Sequence, residues 1–343
     1  MNATSHLNIL LLTTTLAGTM CAPAAEPLTS TEIQELRKNA LQVAGVIPDK
    51  MPGAEKDTPA QIALGKKLYF DNLLSKNQSQ SCNECHRVDG GLPGTDGEAT
   101  SEGAFGKRGD RNSPTTLNAG FHLAQFWDGR AANLKEQAKG PVLNPVEMAM
   151  PDENEVLERM RNHTEYPGLF KAAFPGASEA VTYDNMAEAI AAFERTLITR
   201  DRFDDFLKGE DQALSGAELR GLKTFLANGC TACHNGPLLG ANSYQKVGLI
   251  HPFPTKDPGR RAVTKDEYDE AKFKVPSLRN SAITGPYFHN GSIRSVDDAV
   301  KMMGWHQLGQ ELSPEQIRDI AAFLHTLSGK DRRPITTASK STP

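Results

Sequence analysis

Two copies of one five-residue pattern, Cys-x-x-Cys-His, constrain this chain more than any other feature. They read Cys82-Asn83-Glu84-Cys85-His86 and Cys230-Thr231-Ala232-Cys233-His234. The spacing puts two thiols on one short turn, with an imidazole directly after them. Both sulfurs can then form thioethers with the vinyl groups of one porphyrin while the imidazole ligates its iron. A thioredoxin-like dithiol, or four cysteines around one zinc, would also use C-x-x-C pairs. The histidine behind each pair, in a chain whose fifth cysteine is Cys21, favours two covalently bound haem c groups. His86 and His234 are the expected proximal ligands.

The start of the chain reads as an export signal. Leu7 to Met20 is an apolar, threonine-rich run too short for a convincing membrane span, and Ala22-Pro23-Ala24 is a small-residue cleavage pattern. Residues 1–24 are therefore expected to be removed on export to the periplasm, although the leading MNATSH carries no Lys or Arg. Gly18-Thr19-Met20 is a poor lipobox, so Cys21 is expected to leave with the signal. The 343 residues suffice for two cores, and a net charge of −4 gives no reason to expect nucleic acid or a membrane surface as partner.

An internal echo supports two haem units. Gly65-x-Lys67-x-Tyr69 precedes the first motif and Gly221-x-Lys223-x-Phe225 the second, both on amphipathic helical stretches, PAQIALGKKLYF and SGAELRGLKTFLANG. A third helix, SPEQIRDIAAFLHTLSG, starts with Ser313 as N-cap and Pro314 at the first helical position and stops at Gly329. Strand alternation is weak. The expected fold is mainly α: two cytochrome c-like haem domains with long loops and little β structure. The boundaries are placed at 25–198 and 199–330, with the junction near TLITRDRFDDFLKGEDQALS and a frayed polar tail over 331–343.

An electron-carrying second haem calls for a Met opposite its histidine. Downstream of His234 the candidates are Met302 and Met303, at the end of a helix before Gly304; a core position is the alternative for either. At this point the chain resembles the bacterial dihaem cytochrome c peroxidases. The segments that carry the resemblance are LGKKLYFDNLLS, RNSPTTLNAGFHLAQFWDGRAANLKEQAKGPVLNPVEM, CTACHNGPLLGAN, FKVPSLRNSAITGPYFHNGS and AVKMMGWHQLG. They span nearly the whole mature chain.

The resemblance implies an exported enzyme that reduces hydrogen peroxide to water, with a peroxidatic haem in the N-terminal domain and an electron-accepting haem in the C-terminal one. It assigns the axial Met to Met303, the acid–base group to Glu147, a pocket-lining amide to Gln137 and an inter-haem electron relay to Trp127. It implies a calcium ion between the domains, held by the Asn112 side chain and the Thr284 and Pro286 carbonyls, with oxygen-only ligation suited to that ion. His289 matches a family histidine, and Trp305 has no counterpart in the pattern. The electron donor would be a small cytochrome c or a cupredoxin, and family members commonly pair as homodimers.

Family members usually block the peroxidatic iron with a distal histidine that leaves when the other haem is reduced. That histidine belongs just before the Arg-Asn of RGDRNSPT, where this chain reads Gly103-Ala104-Phe105-Gly106. Ala104 cannot bind iron, so the expectation is a constitutively open N-terminal haem; His122 is the nearest other histidine after the motif. Relatives that mature a tryptophan cofactor inside another protein also lack the distal histidine, but they replace the axial Met with Tyr. A dihaem carrier without catalysis is the third reading, and it would require both irons to be six-coordinate.

Overall fold

The computed structural model describes residues 27–336. The expected signal segment, residues 1–24, lies outside the described residues, as do residues 337–343 of the tail. Helices dominate, and the two strands among the described residues, Tyr244–Lys246 and Lys272–Lys274, form one antiparallel pair with Gln245 opposite Phe273.

The three helices expected from the sequence all form, as Pro59–Phe70, Gly216–Ala227 and Pro314–Thr326. Each begins with a reciprocal cap that satisfies backbone N–H groups left over at a helix start. Thr58 Oγ1 accepts from Gln61 N at 3.2 Å while Gln61 Oε1 accepts from Thr58 N at 2.9 Å, and Ser313 and Gln316 repeat the exchange. Pro59 and Pro314 occupy the first turn, where a missing N–H costs nothing.

The echoed glycines mark two helix crossings. A Cβ on Gly65 would lie 1.7 Å from Ala189 O, in the helix Tyr183–Glu194. A Cβ on Gly221 would lie 1.8 Å from Asp319 O, in the helix Pro314–Thr326. The backbones therefore touch at both places, and only glycine permits it. Around the first crossing Leu64, Leu68 and Tyr69 share a core with Met186, Ile190 and Phe193; around the second Leu222 and Phe225 share one with Ile320, Phe323 and Leu324.

Three expectations need correction. The helix Ser30–Val43 precedes the first motif, yet Leu36 and Ala40 belong to the second core, and the Arg37 guanidinium lies over the Phe206 ring at 5.0 Å. Apolar periodicity announces such a helix without saying which core it joins. The tail is not frayed through residue 336. Arg333 N donates to Gly91 O at 2.9 Å and Arg333 Nε to Gly90 O at 2.8 Å, because those glycines leave carbonyls open to a guanidinium. The methionine helix does not stop at Gly304: Val296–Leu308 runs through it to Gly309, which caps the end at φ 65°. Gly304 is small because Leu312 closes over it, with a Cβ there meeting the Leu312 side chain at 2.9 Å.

Gly65→Ala and Gly221→Ala should each destabilise the protein by about 1–3 kcal/mol, the usual cost of forcing volume into a packed contact. Thermal unfolding should show a fall of roughly 2–4 °C per kcal/mol. An unchanged transition in either variant would mean that the crossing is looser than described.

Candidate active site

Each Cys-x-x-Cys-His motif opens onto its own cavity. The N-terminal one encloses about 630 Å³, including its open mouth, and is lined by Cys82, Cys85 and His86 together with Gln137, Glu147 and Glu194. The C-terminal one, about 2010 Å³, is lined by Cys230, Cys233, His234 and Met303. None of the four cysteines forms a disulfide. Burial raises all four thiols, Cys85 to about 12 and Cys230 to about 11.

The histidines are set for iron. His86 Nδ1 lies 2.9 Å from Pro114 O, and His234 Nδ1 lies 3.0 Å from Leu239 O. A carbonyl only accepts, so in each ring Nδ1 carries the proton and Nε2 keeps its lone pair for a metal. Burial lowers both imidazoles below their ordinary value, which keeps them neutral and available as ligands. Paired thiols, an oriented imidazole and an apolar cavity at each site fit haem c.

The second axial position separates the two cavities. Met302 and Met303 both pack against the cluster of Val247, Phe253 and Phe273, but of the two only Met303 lines the C-terminal cavity. In the N-terminal cavity the wall carries Gln137 and Glu147 instead. Gln137 comes from the helix Leu134–Leu143, and Glu147 sits in the turn that follows, where Glu147 N donates to Asn144 O at 3.0 Å. Burial raises the Glu147 carboxyl, against the Arg130 charge and the Asn144 amide, which donates to Oε1 at 2.8 Å.

A shared wall joins the cavities. Asn112, Ser113, Pro114 and Thr115 line the C-terminal cavity, while Pro114 O holds His86 of the N-terminal one. Trp127 also lines the C-terminal cavity and donates from Nε1 to Asn112 O at 2.8 Å.

Residues 59–212 match the family model for di-haem cytochrome c peroxidase, and residues 219–328 match that for cytochrome c. The chain is 48% identical to cytochrome c551 peroxidase of Pseudomonas aeruginosa over 82% of its own length and 83% of the relative's. It is 33% identical to the methylamine utilization protein MauG of Methylophilus methylotrophus, over 82% of this chain and 87% of that one. Among solved structures it resembles a MauG-like protein associated with microbial copper homeostasis, with TM-score 0.74 and 28% identity over 83% of this chain and 94% of that one.

The chain belongs to the di-haem cytochrome c peroxidase family.

The remaining residues expected for this peroxidase family fall into place unevenly. Asn112, Thr284 and Pro286 line one and the same cavity. The Asn112 amide nitrogen donates to Glu98 O at 2.9 Å, which turns its side-chain oxygen the other way. His289 is buried, stacks on Phe273 at 4.1 Å, and has Nε2 2.8 Å from Thr255 Oγ1. Trp305 is exposed and stacks on His251 at 3.8 Å. His122 is not at the N-terminal site: it lines the C-terminal cavity, 2.9 Å from Lys274 Nζ. His122 directly follows the short turn Ala119–Phe121, and its AGFHLAQF context reads as packing rather than as a ligand loop.

Two residues on the cavity walls escaped the sequence reading. Glu194 lines the N-terminal cavity, 4% exposed, with Oε2 lacking a hydrogen-bond partner and burial pushing its carboxyl up to about 8. Its place at the end of the apolar run MAEAIAAFE is the signal that could have found it. Lys274, in the strand Lys272–Lys274, is the other.

Replacing Met303 with Leu in the haem-loaded peroxidase should lower the reduction potential of one haem and convert it to high spin, since a thioether ligand raises the potential. Met302→Leu should leave both haems unchanged. Redox titration followed by absorption spectroscopy distinguishes the two, and a larger effect at Met302 would reverse the assignment.

Proposed function

We propose that this protein is a periplasmic peroxidase that reduces hydrogen peroxide to water at its N-terminal haem, with electrons received one at a time at its C-terminal haem. The observation that carries this reading is the Glu147 carboxyl, raised by burial, on the wall of the same cavity as His86 and Gln137. A plain electron carrier has no use for an acid there.

Bound haem supplies a coordination position for peroxide and a store for electrons. The overall change takes two electrons and two protons per peroxide and yields two waters. Glu147 would take a proton from one peroxide oxygen and return it to the other as the O–O bond breaks. Its raised pKa keeps that proton on to higher pH than an ordinary carboxylate would. Gln137 orients the substrate through its amide, which both donates and accepts. Trp127 stands at the shared wall as the relay between the two sites. A calcium ion held by the Asn112 side chain and the Thr284 and Pro286 carbonyls, with waters completing its shell, would brace this wall. Among the described residues no cluster of three or more His, Cys, Asp and Glu could hold a metal, so such a site rests on those neutral oxygens.

Donor electrons would enter near the methionine helix, where Leu249 both lines the C-terminal cavity and is exposed, beside Ile250 and Trp305. That surface suits a small cytochrome c or cupredoxin, and the enzyme would work as a homodimer. The open-haem reading follows from Ala104, whose N–H donates to Glu147 O at 2.8 Å and whose carbonyl accepts from the Asn77 amide.

The first test mixes untreated ferric enzyme with a reduced small cytochrome c and hydrogen peroxide. Donor oxidation should start without a lag. A lag removed by prior half-reduction would overturn the open haem, and no turnover after half-reduction would favour a MauG-like reaction on a protein substrate. Ala104→His should introduce a lag where the parent has none. Glu147→Gln should lower kcat by about 10²–10⁴-fold, the range for a lost general acid–base group; steady-state kinetics measure it.

A further inference from the structure

The wall of the C-terminal cavity holds a buried cation that the peroxidase reading leaves without a role. Lys274 is 6% exposed. Its Nζ donates to Ala124 O at 2.7 Å and to His122 Nδ1 at 2.9 Å. No carboxylate among the described residues forms a salt bridge with it. Asp128 acts on it only from a distance, being already paired with Arg111 at 2.6 Å and Arg130 at 3.1 Å. Burial accordingly pushes the Lys274 ammonium down to about 7, with Asp128 pulling weakly the other way.

The His122 ring completes the pattern. Accepting at Nδ1 from an ammonium leaves the imidazole proton on Nε2. That Nε2 is buried and has no hydrogen-bond partner. Lys274 and His122 both line the cavity. An ammonium has three N–H groups, of which two are accounted for. The ammonium thus has no carboxylate partner among the described residues, and the His122 N–H has no acceptor. Burying an unpaired cation and an unpaired donor together is costly, and native proteins rarely leave such groups alone. The ligand this wall calls for is a carboxylate.

Haem brings two carboxylates with it. We propose that Lys274 Nζ and His122 Nε2 form a carboxylate site that holds a propionate of the C-terminal haem. This rests on the reading that the cavity takes haem c. The site is tied to the relay through the main chain: Lys274 N donates to Trp127 O at 2.8 Å. The ammonium supplies positive charge beside the haem that receives electrons, which favours the reduced state. It also fixes one edge of that haem to the residue bonded to the relay tryptophan.

The test uses the holoenzyme with redox titration of each haem. Lys274→Met should keep two haems per chain and lower the ferrous-to-ferric ratio of the C-terminal haem about tenfold at fixed ambient potential, a shift of about 59 mV for one electron. The N-terminal haem should be unaffected, and Lys274→Arg should restore most of the ratio. Two haems with an unchanged C-terminal potential would overturn the proposal. A single haem in the unmodified protein would instead overturn the haem reading of this cavity. Should Lys274→Met fail to fold, a structure of the unmodified holoenzyme decides. A propionate oxygen within hydrogen-bond distance of Lys274 Nζ and His122 Nε2 supports the site, and both propionates turned elsewhere refute it.

Discussion

The functional geometry hangs on one backbone stretch, Asn112 to Thr115, which is held from both sides. From the N-terminal side the His86 ring donates to Pro114 O, and from the C-terminal side the Trp127 indole donates to Asn112 O. Asn112 N in turn donates to His289 O at 2.7 Å. Arg111, next in the chain, is clamped between Asp257 and Asp128, each at 2.6 Å. A proximal imidazole is only as well aimed as the carbonyl it leans on, so anything that moves this stretch moves both sites at once. Proline contributes a fixed φ and no competing N–H at the position that must offer its carbonyl.

The two haem units are not beads on a string. The N-terminal helix Ser30–Val43 crosses to the second core, and the chain after Gly329 returns to lie against Gly90 and Gly91 of the first unit. Within the second unit, at its start, runs a buried ionic joint. The Arg279 guanidinium, fully enclosed, meets Asp201 at 2.6 Å and Asp204 at 3.2 Å. Such a joint adds little net stability over an apolar replacement, because desolvating three charges offsets most of their attraction. Its effect is positional. Asp201 caps the helix Arg202–Leu207, and Asn280, beside Arg279, receives from Gly329 N at 2.8 Å, so the junction and the closing helix are set together.

Local chemistry made most of the architecture legible. The motif spacing announced two haems, amphipathic stretches and the Ser313 cap announced three helices, and the Gly-x-Lys-x-aromatic echo announced two related units without showing that its glycines lie at helix crossings. Periodicity left Met302 and Met303 equal and the family resemblance chose Met303, which is the one of the two that lines the cavity. The failures share one cause. The Ser30–Val43 helix and the tail both make their decisive contacts far from where they stand in sequence, and no local pattern encodes a partner across that distance. Lys274 and Glu194 were missed for a related reason: a single charged residue in a short strand or at a helix end looks solvated until its surroundings are known.

Ala104 sits in a loop held by its backbone. Gly103 has no room for a Cβ, since Val146 O would lie 1.9 Å away, and Ala104 donates to the carbonyl of Glu147. Gly106 N closes the turn onto Gly103 O at 3.0 Å. The loop is thus fastened to the very turn that presents the acid. A ligating side chain at position 104 would tie iron, loop and acid into one unit, and releasing the iron would mean pulling on the acid's own support. With a methyl group there the loop has no hold on the metal, and its backbone bonds serve only to keep the Glu147 turn in place. The same fastening that would make a histidine-bearing loop responsive to the metal makes this one a support.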